Sequence, residues 1–252
     1  MKFNAERTIK RLLLLFRGFI MFKDWPLWLS HRFRLLKKSG IGMFRMRNGA
    51  RFILDFSRNN PGTFQEVWLM DLYEKNYAIK NGDTVIDIGA SIGAFSVLAA
   101  RKGAFVYAYE PTPRSFELLK QNVVPYNNVK IFNLAVSGGK KVVTLEEAPG
   151  GDEGNTVMDS GSGRPRFSVS AIALVDIFKE NSIRRCDLLK IDCEGAEVEI
   201  LERALQETFE RIENIAMEYH KNAERLINLL GPNYLISKTG DRDNGYIYAR
   251  KK

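Results

Sequence analysis

The sequence predicts an α/β fold: a doubly wound, mostly parallel sheet of seven strands with an antiparallel C-terminal hairpin, preceded by helices and a small β-hairpin. Three observations support this prediction. The apolar, β-branched run at residues 84–88 is typical of a buried parallel strand, and it leads through a glycine turn into a helical segment. Strand-like and helical segments then alternate to the C-terminus. A chain of 252 residues, 45% of them apolar, can bury one large core.

The first part of the chain, residues 1–58, reads as a basic extension. Residues 1–38 predict two amphipathic helices, the second beginning near Asp24 with Pro26 in its first turn. The apolar stretch 12–22 is too short to span a bilayer and is interrupted by Arg17. Two interpretations stay open: the helices pack on the protein or a partner chain, or residues 1–38 lie on an anionic membrane surface. The corresponding location is the cytoplasm, either free or at the inner face of the membrane.

The positive charge is concentrated in this extension. The whole chain carries +8, but residues 1–58 contain fourteen Lys and Arg against three Asp and Glu, and the remainder contains 24 against 27. The domain at 59–252 is therefore slightly acidic, which argues against nucleic acid as a partner. The two cysteines, Cys186 and Cys193, fit reduced core thiols rather than a disulfide framework.

Two local elements follow the helices. Alternating runs on either side of Asn48-Gly49 predict a β-hairpin with a type I′ turn. Residues 61–77 predict a helix at the start of the larger domain, which we place at 59–252.

The glycine turn after the first strand of that domain is the predicted ligand site. Gly89 and Gly93, with Ala90 between them, let the backbone turn sharply and let a ligand approach the following helix start. The G-x-x-x-G spacing is neither the G-x-G-x-x-G of dinucleotide sites nor a P-loop, which leaves a pocket for a nucleoside with an amino-acid-like tail. Asp87, just before the turn, could accept hydrogen bonds from an ammonium group. Glu110, which closes the next strand, could bind both ribose hydroxyls.

The third strand is predicted over residues 129–137. Because ligands bind at the carboxyl ends of such strands, Asn133, Ala135 and Val136 are candidates for contact with the adenine. A glycine-rich segment, 146–167, then predicts a mobile loop that could bind the acceptor. A helix over residues 169–181 is expected after it.

Acidic residues gather at the ends of two later strands. Asp192 and Glu194 follow the apolar run 188–191, while Glu218 and His220 end the run 212–217. Parallel strands would bring all four to one edge of the sheet. They could supply a general base, with His220, Asp192 and Glu218 as the candidates, or hold a divalent cation. The residues alone leave this choice open.

Several motifs together resemble the FkbM family of S-adenosylmethionine-dependent methyltransferases. They are VIDIGASIGAFS, YAYEP, FNLAVS and DLLKIDCEGAEVEIL, and the resemblance covers about residues 80 to 220. It implies a Rossmann-like class I fold, S-adenosyl-L-methionine as cofactor and O-methylation of a hydroxyl on a saccharide, glycolipid or secondary metabolite. The acceptor partner would then be a small molecule or a glycan.

Two other classes of function remain open. A nicotinamide-dependent oxidoreductase would share the strand, turn and helix and Glu110, but the dinucleotide glycine motif is missing. A non-catalytic module that attaches to a glycan or membrane would keep the fold without needing the acidic residues. The oligomeric state cannot be read from the sequence.

Overall fold

The computed structural model describes residues 2–33, 35, 40–57, 61–146 and 166–252. They form two compact units, an N-terminal unit, Met1–Leu72, and a C-terminal unit, Tyr73–Lys252. The sequence predicts a boundary between two domains after residue 58. That boundary stays a prediction, because compact units need not be domains that fold independently. In the described part of the chain, no helix has the length and apolar character needed to cross a bilayer.

The N-terminal unit contains two helices, a β-hairpin and a π-helical segment. The two helices confirm the prediction from the sequence, including Pro26 in the first turn of the second and Asp24 before it. The elements are α1, Lys2–Met21; α2, Trp25–Arg32; β1, Ile41–Arg45; β2, Arg51–Asp55; and the π-helix Gln65–Leu69.

Aromatic side chains form the core of this unit. The rings of Phe44 and Phe64 stack with centroids 4.9 Å apart, and Phe52 packs on the same Phe64 ring at 4.6 Å. Phe22 contacts both Phe44 and Trp28 edge to face. Such ring pairs stabilise beyond their buried area, so the hairpin and helices share one packed interior.

Two predictions for this unit were wrong in detail. The hairpin is present, but only Gly49 has a positive φ in its turn, whereas a type I′ turn also needs one at Asn48. The helix predicted over 61–77 is reduced to a short helical stretch at 63–69, after which Asp71 takes a positive φ that ends helical geometry.

The C-terminal unit is built on a seven-stranded sheet with the order β11-β12-β10-β9-β3-β4-β5. Strands β10, β9, β3, β4 and β5 run parallel, and β12 is antiparallel to both β10 and β11. This confirms the predicted doubly wound sheet and its C-terminal hairpin. The strands are β3, Thr84–Ile88; β4, Phe105–Tyr109; β5, Val129–Phe132; β9, Leu188–Ile191; β10, Asn214–His220; β11, Tyr234–Gly240; and β12, Asn244–Lys251.

Helices connect these strands and cover the sheet. They are α3, Ala94–Arg101; α4, Pro113–Val123; α5, Leu174–Glu180; α6, Glu197–Glu202; α7, Gln206–Phe209; and α8, Ala223–Leu230. The chain runs from β3 outward to β5 and then returns to β9 on the other side of β3. That reversal makes the carboxyl ends of β3 and β9 the topological switch point, where doubly wound sheets bind ligands.

A second, three-stranded sheet was not anticipated. It has the order β6-β8-β7, formed by Ala135–Ser137, Arg166–Ala173 and Lys141–Glu146. The single strand predicted over 129–137 is therefore two strands in different sheets. The helix predicted over 169–181 is correct only from Leu174, because the preceding residues pair with β6 and β7. Most of the predicted mobile loop 146–167 lies outside the described residues.

Candidate active site

The glycine turn after β3 lies against the segment after β9. Gly89 has φ +76°, and a Cβ atom built there would lie 1.7 Å from the backbone oxygen of Asp192. No side chain fits at that distance, so glycine is required for the two strand ends to meet. Gly93 has φ +89° at the start of α3, where a Cβ atom would lie 2.7 Å from Leu119 Cδ1. Ala90 is buried and donates its N–H to the Tyr109 carbonyl, 3.0 Å away.

A buried lysine stabilises this turn through a hydrogen bond and two ion pairs. Lys190 Nζ donates to the Gly89 carbonyl at 2.7 Å and lies 3.1 Å from Asp87 Oδ1 and 3.6 Å from Asp192 Oδ2. Burial by itself lowers the pKa of Lys190, but the attraction of Asp87 and Asp192 outweighs it and the pKa is raised. Lys190 therefore stays charged, and it links the carboxyl ends of β3 and β9.

Asp87 has internal partners in the structure. It is fully buried, with Oδ1 facing Lys190 and Oδ2 accepting a 2.6 Å hydrogen bond from the Ser96 hydroxyl. The sequence predicts that Asp87 faces the ammonium group of a ligand. That contact stays a prediction, and the geometry assigns Asp87 first to the support of the turn.

Glu110 lies beside the turn, as the sequence predicted, with its carboxylate buried. Its two oxygens each accept a backbone N–H at 2.8 Å, one from Ser91 in the turn and one from Thr112 before α4. Each oxygen of a carboxylate has about two lone-pair sites, so it can accept more than one hydrogen bond. Asn133 donates to the Glu110 carbonyl at 2.9 Å and so joins the same edge after β5.

The other two candidates for adenine contact lie beyond Asn133. Ala135 and Val136 are the first residues of β6, and both are about 6% exposed. They pair in parallel with Ala171 and Ile172 of β8 rather than continuing β5.

Two acids at the ends of β9 and β10 share a buried tyrosine. The Tyr73 hydroxyl donates to Asp192 Oδ2 at 2.9 Å and lies 3.4 Å from Glu218 Oε2. The Tyr246 hydroxyl donates to the same Glu218 oxygen at 3.1 Å. Burial raises the pKa of Tyr73 far above its usual value, and the charges of Asp192 and Glu218 raise it further, so Tyr73 remains a donor.

Glu218 is the acid whose titration moves into the physiological range. Desolvation, followed by the nearby charge of Asp192, raises the pKa of Glu218 from 4.5 to about 7. The Tyr73 hydroxyl has a single proton, which it donates to Asp192. The contact between Tyr73 and Glu218 is therefore a good hydrogen bond only when Glu218 is protonated and donates to the Tyr73 oxygen. Asp192 and Glu218 together can therefore hold or release one proton near neutral pH.

His220 faces a different pair of acids. Its Nε2 lies 3.2 Å from Glu194 Oε2 and its Nδ1 lies 3.5 Å from Oε1 of the buried Glu197. The nearby Glu197 carboxylate and the charge of Glu194, against the effect of burial, raise the pKa of His220 to about 9. At neutral pH the imidazole is therefore protonated and cannot accept another proton.

The four residues considered for a cation thus lie in two neighbouring groups. Asp192 and Glu218 meet at Tyr73, whereas Glu194 and His220 pair with each other. Among the described residues, no group of three or more His, Cys, Asp or Glu side chains is arranged to hold a metal ion. A divalent cation at this edge stays an untested prediction.

Backbone strain concentrates around the same edge. Ser91 after β3, Glu194 after β9, and Lys221 and Asn222 after β10 all have positive φ. Such conformations cost of order 1–3 kcal/mol each and persist where surrounding contacts enforce them, as at ligand sites.

Sequence reasoning missed three residues of this site. Tyr73 lies 119 residues from Asp192, and its segment read as a helix. Tyr246 lies on β12 opposite Glu218, a pairing that only the register of the hairpin reveals. Glu197 was not singled out in the sequence, and the signal that could have identified it is its place in the acidic run after β9.

The strand order and the ligand edge define the class: this is a Rossmann-like α/β domain with the topology of S-adenosylmethionine-dependent methyltransferases. The chain belongs to the FkbM methyltransferase family. The family model described as the methyltransferase FkbM domain matches residues 87–248.

Characterised relatives are distant. The chain is 27% identical to the 31-O-demethyl-FK506 methyltransferase FkbM of Streptomyces tacrolimicus, over 70% of this chain and 80% of that one. It is 27% identical to the methyltransferase sdnD of Sordaria araneosa, over 53% of this chain and 65% of the relative. It is 26% identical to the 2-O-methyltransferase NoeI of Sinorhizobium fredii, over 56% and 64%. The match thus spans slightly less than two thirds of sdnD and of NoeI.

Proposed function

We propose that the protein is an S-adenosylmethionine-dependent methyltransferase that transfers the methyl group to a hydroxyl of a small-molecule or glycan acceptor. The observation that carries the proposal is the pairing of Asp192 and Glu218 through Tyr73 beside the glycine turn at the switch point. It supports a proton acceptor at the edge where doubly wound sheets generally bind their ligands.

The residues at this edge fit the cofactor. S-adenosylmethionine, when bound, supplies a methyl group on a cationic sulfonium and an excellent leaving group. Glu110, Asp192 and Glu218 give the edge a negative character that suits this cation. Since Lys190 and Asp87 largely neutralise each other, they do not reverse it. The Glu110 carboxylate, whose oxygens can each accept more than one hydrogen bond, suits the ribose hydroxyls.

Glu218 is the favoured general base. An alcohol must lose its proton as it attacks, and a base with a pKa near the working pH is the most effective. Glu218, with its pKa near 7, meets that condition, whereas the protonated His220 does not. Tyr246 orients the Glu218 carboxylate, and Tyr73 ties it to Asp192.

The acceptor class is supported by the relatives and by the acids. One relative is named a 31-O-demethyl-FK506 methyltransferase and another a 2-O-methyltransferase. An acceptor hydroxyl needs a base, and the Glu218 group supplies one. We therefore propose a saccharide, a glycolipid or a hydroxylated secondary metabolite as acceptor. The nicotinamide alternative has no comparable support, since the matched family is one of methyltransferases.

A transfer assay with labelled methyl donor tests the proposal. The full chain is incubated with a panel of saccharide, glycolipid and polyol acceptors, next to an equal panel of amines and thiols. We expect label in the hydroxylated acceptors and a large loss with Glu218→Gln. Label confined to amines or thiols would contradict O-methylation. Bound cofactor with no transfer to any class would favour a non-catalytic module.

A further inference from the structure

One face of α1 is apolar and exposed. Ile9, Leu12, Leu13, Phe16 and Ile20 recur at helical spacing, and each is at least 53% exposed. Phe19 borders them at 48%. Monomeric proteins rarely leave a contiguous stripe of this kind in water, so it marks a docking surface.

The packed side of α1 lies opposite this stripe. Gly18 rests directly on the Trp28 ring, where a Cβ atom would lie 2.5 Å from the ring carbon Cζ3. Phe22 is also fully buried. The helix thus has one face committed to the core of the N-terminal unit and another available to a partner.

A basic cavity opens in the same unit. It encloses about 330 Å³ and includes Lys23, Arg45, Arg47 and Arg51 in its lining. Asp24 neutralises Arg45, with an N–O distance of 2.6 Å, and this contact lowers the pKa of Asp24. Lys23 and Arg51 form no ion pair with any residue that the structure describes. The cavity therefore retains a net positive charge.

Arg47 joins the cavity to the apolar face. Its Nε donates to the Phe19 carbonyl at 3.0 Å, and its guanidinium lies over the Phe19 ring, 5.4 Å from the centroid. The cations thus begin where the apolar stripe ends, which is the arrangement of interfacial helices that place apolar residues among acyl chains and cations among headgroups.

We propose that the N-terminal unit docks on an anionic lipid bilayer. The exposed stripe of α1 enters the headgroup and acyl boundary, and the cavity formed by Lys23, Arg45, Arg47 and Arg51 binds lipid phosphates. Charge complementarity favours this partner over a second copy of the chain, because residues 1–58 carry fourteen basic against three acidic side chains and two copies would repel each other.

Flotation of the full chain with vesicles tests the proposal. One set contains phosphatidylcholine alone and the other phosphatidylcholine mixed with phosphatidylglycerol. We expect the protein to float with the anionic vesicles, to bind the neutral ones much more weakly, and to be partly released by high salt, which screens the attraction.

Two variants separate the contributions. Leu13→Glu/Phe16→Glu places charges on the exposed stripe and should weaken binding at least about tenfold. Lys23→Gln/Arg51→Gln should weaken binding to anionic vesicles about fivefold for each cation removed. Val142→Glu, at a residue 71% exposed in the C-terminal unit, is the matched control and should change nothing. Circular dichroism checks that each variant is folded.

Three results would overturn the proposal. The first is wild-type protein that does not float with vesicles of any lipid composition. The second is vesicle binding by both double variants that is as strong as that of the wild type. The third is a wild-type dimer in sedimentation experiments that Leu13→Glu/Phe16→Glu converts to a monomer without any vesicle binding, since the stripe would then bind a second copy.

Discussion

Lys190→Met removes the cation that joins the two strand ends at the site. The side chain is only 4% exposed, and its ammonium contacts the Gly89 carbonyl, Asp87 and Asp192. Methionine has a similar length and packs in the same space, so the main change is electrostatic. The carboxyl group of Asp87, which is fully buried, then has no cation beside it.

Breaking a buried pair by removing one partner costs about 3–5 kcal/mol. For a unit of this size that corresponds to a fall of roughly 6–20 °C in the unfolding midpoint. Thermal unfolding followed by circular dichroism measures the fall. Because the Gly89 turn also loses its anchor, binding of S-adenosylhomocysteine should weaken in parallel.

The control is the double variant Lys190→Met/Asp87→Asn. It removes both charges and leaves a neutral amide to accept from Ser96, so it should recover most of the lost stability. A Lys190→Met protein as stable as the wild type would show that Lys190 does not stabilise this edge of the sheet. A double variant whose loss equals the sum of the two single losses would show that the two charges do not stabilise each other.

Three further predictions concern the carboxylates and the imidazole. Glu218→Gln should lower kcat by about 10²–10⁴-fold and abolish the rise of wild-type kcat with pH through about 7, while S-adenosylhomocysteine affinity is kept; a variant with an unchanged pH profile places the base elsewhere. Glu110→Gln keeps one oxygen that can accept from the Ser91 N–H but loses the negative charge at the proposed ribose contact. Its affinity for S-adenosylhomocysteine, measured by calorimetry, should fall about ten- to hundredfold. An unchanged affinity would reject the ribose contact. The stability that protonated His220 contributes is fully present below pH 6.5 and is lost as the pH rises through about 9. The unfolding midpoint of the wild type should therefore fall over that pH range, and that of His220→Gln should fall less.

The parts of the fold that could be predicted are those that local pattern specifies. The run at 84–88 is apolar and β-branched, and Gly89 and Gly93 show that the turn after it needs positive φ. These local signals placed the switch point correctly. The acids after β9 and β10 were predicted to share an edge because strand polarity alone brings them together.

The missed elements depend on contacts between distant segments. The sequence predicts a helix from residue 169, but residues 166–173 form a strand that pairs with β6 and β7. Tyr73 acts on Asp192 and Glu218 across 119 and 145 residues. The raised pKa of His220 likewise follows from Glu197, whose burial appears only in the folded chain.

We propose that the carboxyl edge of β3, β4 and β9 binds an adenosyl cofactor. Calorimetric titration of the full chain with S-adenosylhomocysteine, next to an identical titration with NAD, measures this most directly. We expect one site for S-adenosylhomocysteine per chain and no heat of binding for NAD. Binding of NAD alone, or of neither ligand by the folded protein, would contradict it.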